Sequence, residues 1–240
     1  MLHKTKGIVL KVTDYSESSL VVQIFTEVFG MQSYIIQGAK RPKAKIRMNM
    51  LQPLQLVDMV VKNNVHGGLN RISQLQLDPP FTSIPYDITK SSLALFTNEI
   101  LYKTLKHQGA DSILFQFIRH TIQWLDHVDN PPVNFHLHFL VKFSKYLGFY
   151  PSERLSDEKY FDLKNGNFQK SPISTYLIQE PHTTQLYSLM QLRLDDLNNL
   201  NISNSDRRFL LNKLLEYYKW HLSGFGDINS HLILEEVLSN

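Results

Sequence analysis

The sequence contains no cysteine, which excludes disulfides, thiolate metal sites and cysteine nucleophiles together. It has no long apolar run either. The stretch from Leu20 to Phe25 is already interrupted by Gln23, far short of the roughly 18 to 20 residues that a membrane span requires. The opening Met1-Leu-His-Lys-Thr-Lys carries neither the continuous apolar region nor the small-residue cleavage site of a secretory signal, so a cytoplasmic protein is expected. Nucleotide and hydrolase signatures are missing: there is no G-x-x-x-x-G-K-[ST], no G-x-G-x-x-G behind a strand, no H-E-x-x-H and no G-x-S-x-G. Gly224-Phe-Gly226 follows a helical pattern and reads as its terminus. The weight therefore falls on binding rather than catalysis, and no catalytic residue is assigned.

What is present is enough apolar material for a substantial core, 42% of 240 residues, in one large domain or two modest ones. The formal charge of +3 decides little until its distribution is read. Residues 1–80 hold ten Lys/Arg against five Asp/Glu, whereas residues 81–240 hold fifteen against seventeen. The positive charge lies in the first third.

That third alternates with period two. Ile8, Leu10 and Val12 are expected on one strand face, and Leu20, Val22 and Ile24 on another. Further runs extend from Gly30 to Gly38, from Leu54 to Val61 and from Leu69 to Leu77, with Asn63-Asn64 and Gly67-Gly68 marking a loop between the last two. Five short strands in this length suit a small closed barrel or a short open sheet. Asp78-Pro79-Pro80 and Ile84-Pro85 then break the pattern. Beyond them the period becomes about 3.6. Helices are predicted behind Asp87 or Thr89, behind Asp111, from about Val133 to Gly148, and in three later segments ending near Val237. The expected architecture is α+β in two domains: residues 1–79 form a five-stranded barrel, and residues 80–240 are mostly helical. A small irregular insertion interrupts the helices at about 152–180, where Asn165-Gly166 is expected to supply the positive φ angles of a tight hairpin turn.

The most informative segment places Lys40, Arg41, Lys43, Lys45 and Arg47 within eight positions. Cations this close repel one another unless an anion faces them. A solvated loop and a phosphate-binding loop are both consistent with that run, and its place between barrel strands favours nucleic acid. Five phosphate contacts would give a log–log salt slope of roughly −3 to −4 on single strands. Tyr34 and Phe29 stand nearby as candidates for stacking on bases, or as core. Ten histidines yield no metal site: His136 and His138 diverge on a helix, and His120 and His127 lack a completing carboxylate. Near the end, Arg207-Arg208 and Tyr217 to His221 mix basic and aromatic side chains that suit a nucleic-acid surface, a partner peptide or core packing.

Gly7-Ile-Val-Leu10, Tyr15-Ser-Glu-Ser-Ser-Leu20, Ile24-Phe-Thr-Glu27 with Gly30, and Gln37-Gly-Ala-Lys-Arg-Pro-Lys43 together resemble the opening of RecO proteins. The resemblance continues through Leu51-Gln-Pro-Leu54 and Leu147-Gly-Phe-Tyr-Pro151, and the ending is similar to the family's Bacteroidetes-type branch. It implies an N-terminal OB-fold barrel and a helical C-terminal domain. It further implies binding of single- and double-stranded DNA, annealing of complementary strands, and cooperation with RecR in loading RecA onto DNA covered by single-strand-binding protein, whose acidic tail docks on the helical domain. By position, DNA contact is carried onto Lys40, Arg41, Lys43, Lys45 and Arg47. Many members hold zinc through four cysteines after the equivalent of Pro151. This sequence has none, so zinc is not carried over, no other cofactor is expected, and the hairpin would be held by packing. Two other readings stay open: a protein-docking adaptor whose barrel is a spacer, and an RNA-binding accessory factor.

Overall fold

Alternating apolar residues become strands here because one face of each can be buried in a common interior. The computed structural model describes residues 1–42, 44–62 and 69–238. The Asn63-Asn64 and Gly67-Gly68 positions lie outside the described residues, as does Lys43. The first strands are β1 (His3–Asp14), β2 (Leu20–Thr26), β3 (Gly30–Ile36), β4 (Leu56–Lys62) and β5 (Asn70–Leu77). They close into a barrel in the order β1-β2-β3-β5-β4, with the long β1 pairing antiparallel to both β2 and β4. Closure is completed by a parallel pairing of β3 with β5. This is an OB-fold barrel, and the open-sheet alternative is set aside.

Its interior is filled by Val9, Leu20, Val22, Ile24, Tyr34 and Val57 among others. The expected common face of Ile8, Leu10 and Val12 is not what forms. The β1–β2 register shifts between Val9 and Lys11, and a bulge inverts the phase of alternation. Val9 therefore enters the core, Val12 packs against that same core beyond the bulge, and Ile8 and Leu10 are buried outside it. The outer side of β1 is covered by α1 (Ile88–Thr104), whose Asn98 donates its side-chain N–H to the Leu10 carbonyl at 3.0 Å.

The change of period after residue 79 marks where the barrel strands end, but compactness divides the chain later, into Met1–Asp129 and Asn130–Asn240. The first unit keeps α1 and α2 (Ser112–His127) with the barrel. Both helices start as their caps demand: Asp87 accepts from the Lys90 N–H and Asp111 from the Leu114 N–H. Asp126 then fastens the segment leaving the barrel. Its carboxylate accepts from the backbone N–H groups of Thr82 (2.8 Å), Ser83 (2.9 Å) and Ile84 (2.9 Å) and from the Thr82 hydroxyl (2.8 Å).

The second unit contains α3 (Phe135–Tyr146), α4 (His182–Gln191), α5 (Asn204–His221) and α6 (Ser230–Val237). The insertion is more ordered than its polarity suggests, because β6 (Tyr160–Asp162) and β7 (Asn167–Gln169) are joined by a third strand, β8 (Leu177–Gln179), on the other side of β6. The expected Asn165-Gly166 turn is corrected as well. Only Gly166 has positive φ, +68°, and the connection is a loop over residues 163–166 organised by Asp162. The Asp162 carboxylate accepts from the N–H groups of Lys164 (2.8 Å) and Asn165 (3.2 Å), an Asx-type turn that removes the need for left-handed Asn. Residues 151–181 hold neither cysteine nor histidine, so they do not fit zinc. Aromatic packing holds the hairpin instead: Phe161 lies 4.9 Å from Phe168 and 5.5 Å from Tyr217 between ring centroids. No described helix is long and apolar enough to cross a membrane.

Candidate nucleic-acid interface

The basic segment follows β3 and is pinned by its apolar members. Ala39 and Leu51 are buried in the barrel core and Ile46 packs against it. Between these anchors two turns fold the chain back, with the Arg41 N–H donating to the Gly38 carbonyl and the Ala44 N–H to the Arg41 carbonyl, both at 3.0 Å. Each apolar anchor turns its cationic neighbours outward, so Arg41, Lys45 and Arg47 are exposed.

Two of these cations and one from elsewhere share a groove. A concavity of about 490 Å³ is lined by Arg41, Lys45 and Arg71 together with the apolar Ile35, Ile36, Ile46 and Ile72. Arg71 comes from β5, where the parallel pairing places it beside Ile35 of β3. It lies outside the basic run, and only the pairing of β3 with β5, which sequence spacing does not reveal, brings it there. Among the described residues, none of these three cations has a carboxylate within ion-pair distance.

The remaining candidates divide. Lys40 pairs with Asp14 at 2.7 Å, which offsets its charge and ties the loop to the end of β1. Arg47 is exposed but does not line the groove. Tyr34 does not stack on bases: it is 0% exposed within the barrel core, and burial holds its hydroxyl far above the usual phenol range. Phe29 also packs against that core. A second basic group lies on the same unit, where the Lys11 ammonium donates to the Tyr102 hydroxyl at 3.2 Å and Lys106 stands 5.9 Å from the same ring.

In the second unit the Arg207-Arg208 pair divides: Arg208 is exposed and lies 3.9 Å from the Glu235 carboxylate, whereas Arg207 serves packing. Arg207 is buried, and its guanidinium donates to the carbonyls of Ile202 (3.2 Å) and Leu238 (3.4 Å). Burial depresses its pKa, with Arg208 contributing. Tyr217 and Tyr218 are core, whereas Trp220 reaches the surface. His136 and His138 are both buried, and burial pushes their pKa values down to about 3 and about 4. Among the described residues no three His, Asp or Glu side chains gather as metal ligands would.

A groove lined by both cations and apolar side chains offers partners for phosphates and for sugars or unstacked bases. Comparison with known proteins supplies a family. Residues 1–81 match the family described as Recombination protein O N terminal, and residues 85–227 match Recombination protein O C terminal. The chain is similar to proteins named DNA repair protein RecO: 33% identical to that of Bacteroides fragilis over 99% of both chains, and 34% identical to that of Flavobacterium psychrophilum over 98% of this chain and 99% of the relative. The Phocaeicola vulgatus protein of that name is 32% identical over the full length of both.

Proposed function

This chain belongs to the RecO family of DNA repair proteins, and on that premise we propose that its barrel groove holds single-stranded DNA and promotes annealing of complementary strands. The observation that carries this reading is the convergence of Arg41, Lys45 and Arg71 on a groove with apolar surface in its lining. Annealing makes one physical demand, that two repelling backbones be neutralised while base edges stay free to pair. Cations that touch phosphates meet it without reading sequence. No fuel, cofactor or covalent step enters, so the protein acts as a binder and not an enzyme.

In the same reading the protein works in the cytoplasm at the nucleoid, binds duplex DNA through the same charges, and assists RecA loading on strands covered by single-strand-binding protein together with RecR. Its helical unit supplies the protein contacts.

The test is the annealing rate of complementary oligonucleotides at moderate salt, comparing the native chain with Arg41→Ala/Lys45→Ala/Arg71→Ala. The expected result is a marked slowing with the fold intact; an unchanged rate overturns the proposal. A competition between matched DNA and RNA oligonucleotides distinguishes a DNA annealer from an RNA-binding accessory factor.

A further inference from the structure

Beyond the barrel groove, the second unit presents an aromatic and cationic cluster at its surface. Trp220, near the end of α5, is 41% exposed, and Tyr176, just ahead of β8, is 39% exposed. Their ring centroids stand 4.7 Å apart at 62°. The Lys164 ammonium, from the loop between β6 and β7, lies 5.4 Å from the Trp220 ring centroid. Three segments distant in sequence thus meet at one spot.

Each is held there by its own backbone. The Leu163 N–H donates to the Tyr176 carbonyl at 2.9 Å, and the Leu163 carbonyl accepts from His221 Nε2 at 3.0 Å. One residue beside Lys164 therefore clamps both the Tyr176 segment and the end of α5. The Asp162 carboxylate, the acid closest in sequence to Lys164, is turned inward onto its own loop, leaving the Lys164 ammonium with no ion pair among the described residues.

We propose that Trp220, Tyr176 and Lys164 form a stacking site for unpaired bases of single-stranded DNA, a second contact separate from the barrel groove. An open aromatic face accepts any base, and a lysine beside it can turn from the indole to a phosphate as the strand arrives. A rigidly supported but half-exposed indole with an adjoining cation suits a flat polyanion. An apolar peptide side chain would favour a closed pocket over an open ring pair. The inference rests on the reading that the protein binds DNA, but not on where in the barrel it does so.

Trp124 and Trp220 are the two tryptophans of the chain, so the full-length protein carrying Trp124→Phe reports from Trp220 alone. It is titrated with an oligo-dT strand while tryptophan emission and the anisotropy of a label on the DNA are read together. The expected result is saturable quenching of Trp220 that tracks binding. A blunt duplex of equal length, whose bases are paired, should leave the emission unchanged. In the native background, Trp220→Ala should weaken oligo-dT binding about tenfold, Trp220→Phe should restore most of it, and urea midpoints confirm that both remain folded. Binding by anisotropy with no quenching, and with Trp220→Ala as tight as native, overturns this site while leaving the groove standing. Absence of any binding by the native chain overturns both.

Discussion

Ile35 on β3 and Arg71 on β5 face each other across the parallel pairing that closes the barrel. Through that pairing a cation from a separate strand joins Arg41 and Lys45 in lining one groove. Arg71→Ala is expected to weaken single-stranded DNA binding and to make the log–log salt slope shallower by about 0.7, the contribution of one phosphate contact. Arg71→Lys should retain most of the slope. Anisotropy titrations at several salt concentrations measure both.

The residues that could be read in advance and those that could not differ in a physical way. The five strands and the helix starts at Asp87 and Asp111 were legible because local chemistry dictates them: alternation, turn residues and side-chain caps act within a few positions. The basic loop was legible as composition. Arg71 was not, since its role depends on a strand pairing between distant segments. Tyr34 sits next to the loop in sequence but faces the barrel interior, a direction set by the pleat. The bulge between Val9 and Lys11 shows no signature in apolar spacing, so Val12 does not share the face of Ile8 and Leu10 that simple alternation predicts. β8 is only three residues long, too short for any period to show.

Asp126 holds the segment leaving the barrel through four hydrogen bonds to residues 82 and 83 and 84. Asp126→Ala leaves buried donors without their acceptor and is expected to cost about 3 kcal/mol, read as a lower urea midpoint. Burial alone would raise the Asp126 pKa, but the hydrogen bonds from Ile84, Ser83 and Thr82 outweigh it and hold the carboxyl below its usual range. The unfolded chain therefore binds this proton first. The stability it supplies is complete above about pH 4 and is lost as pH falls below that.

The second unit should respond to pH in a different window. His136 and His138 are buried neutral, with pKa values near 3 and 4 against about 6.5 when unfolded. Burial is the main cause for both, with Arg207 adding to the shift at His136 and Lys142 at His138, while hydrogen bonds with the Val133 and Leu192 backbones oppose it. Stability is unaffected above pH 7 and falls as pH drops through 6.5 towards 4, by about 1.4 kcal/mol per pH unit for each histidine. Urea titrations at pH 7.5 and 5.5 measure the loss, and His138→Gln, which cannot titrate, should reduce it.

Gly166 and Tyr217 form the tightest joint of the hairpin. A Cβ on Gly166 would meet the Tyr217 hydroxyl oxygen at 2.9 Å, and its φ of +68° is strained for any other residue. That hydroxyl also donates to the Phe149 carbonyl. Gly166→Ala is expected to cost about 2 kcal/mol or more, and Tyr217→Phe about 1 kcal/mol. The double variant should cost less than their sum, because removing the oxygen relieves the clash. Chemical denaturation of the three variants checks the coupling.

The central claim, that the groove on the barrel is the DNA site, is tested most directly by a salt series of oligo-dT binding. Native protein is compared with Arg41→Ala/Lys45→Ala/Arg71→Ala, each verified as folded by its urea midpoint. The expected result is salt-sensitive native binding and a variant whose affinity falls sharply and whose slope is shallower by roughly 2. Equal affinity and equal slope for the two proteins would contradict it and place the DNA surface elsewhere on the chain.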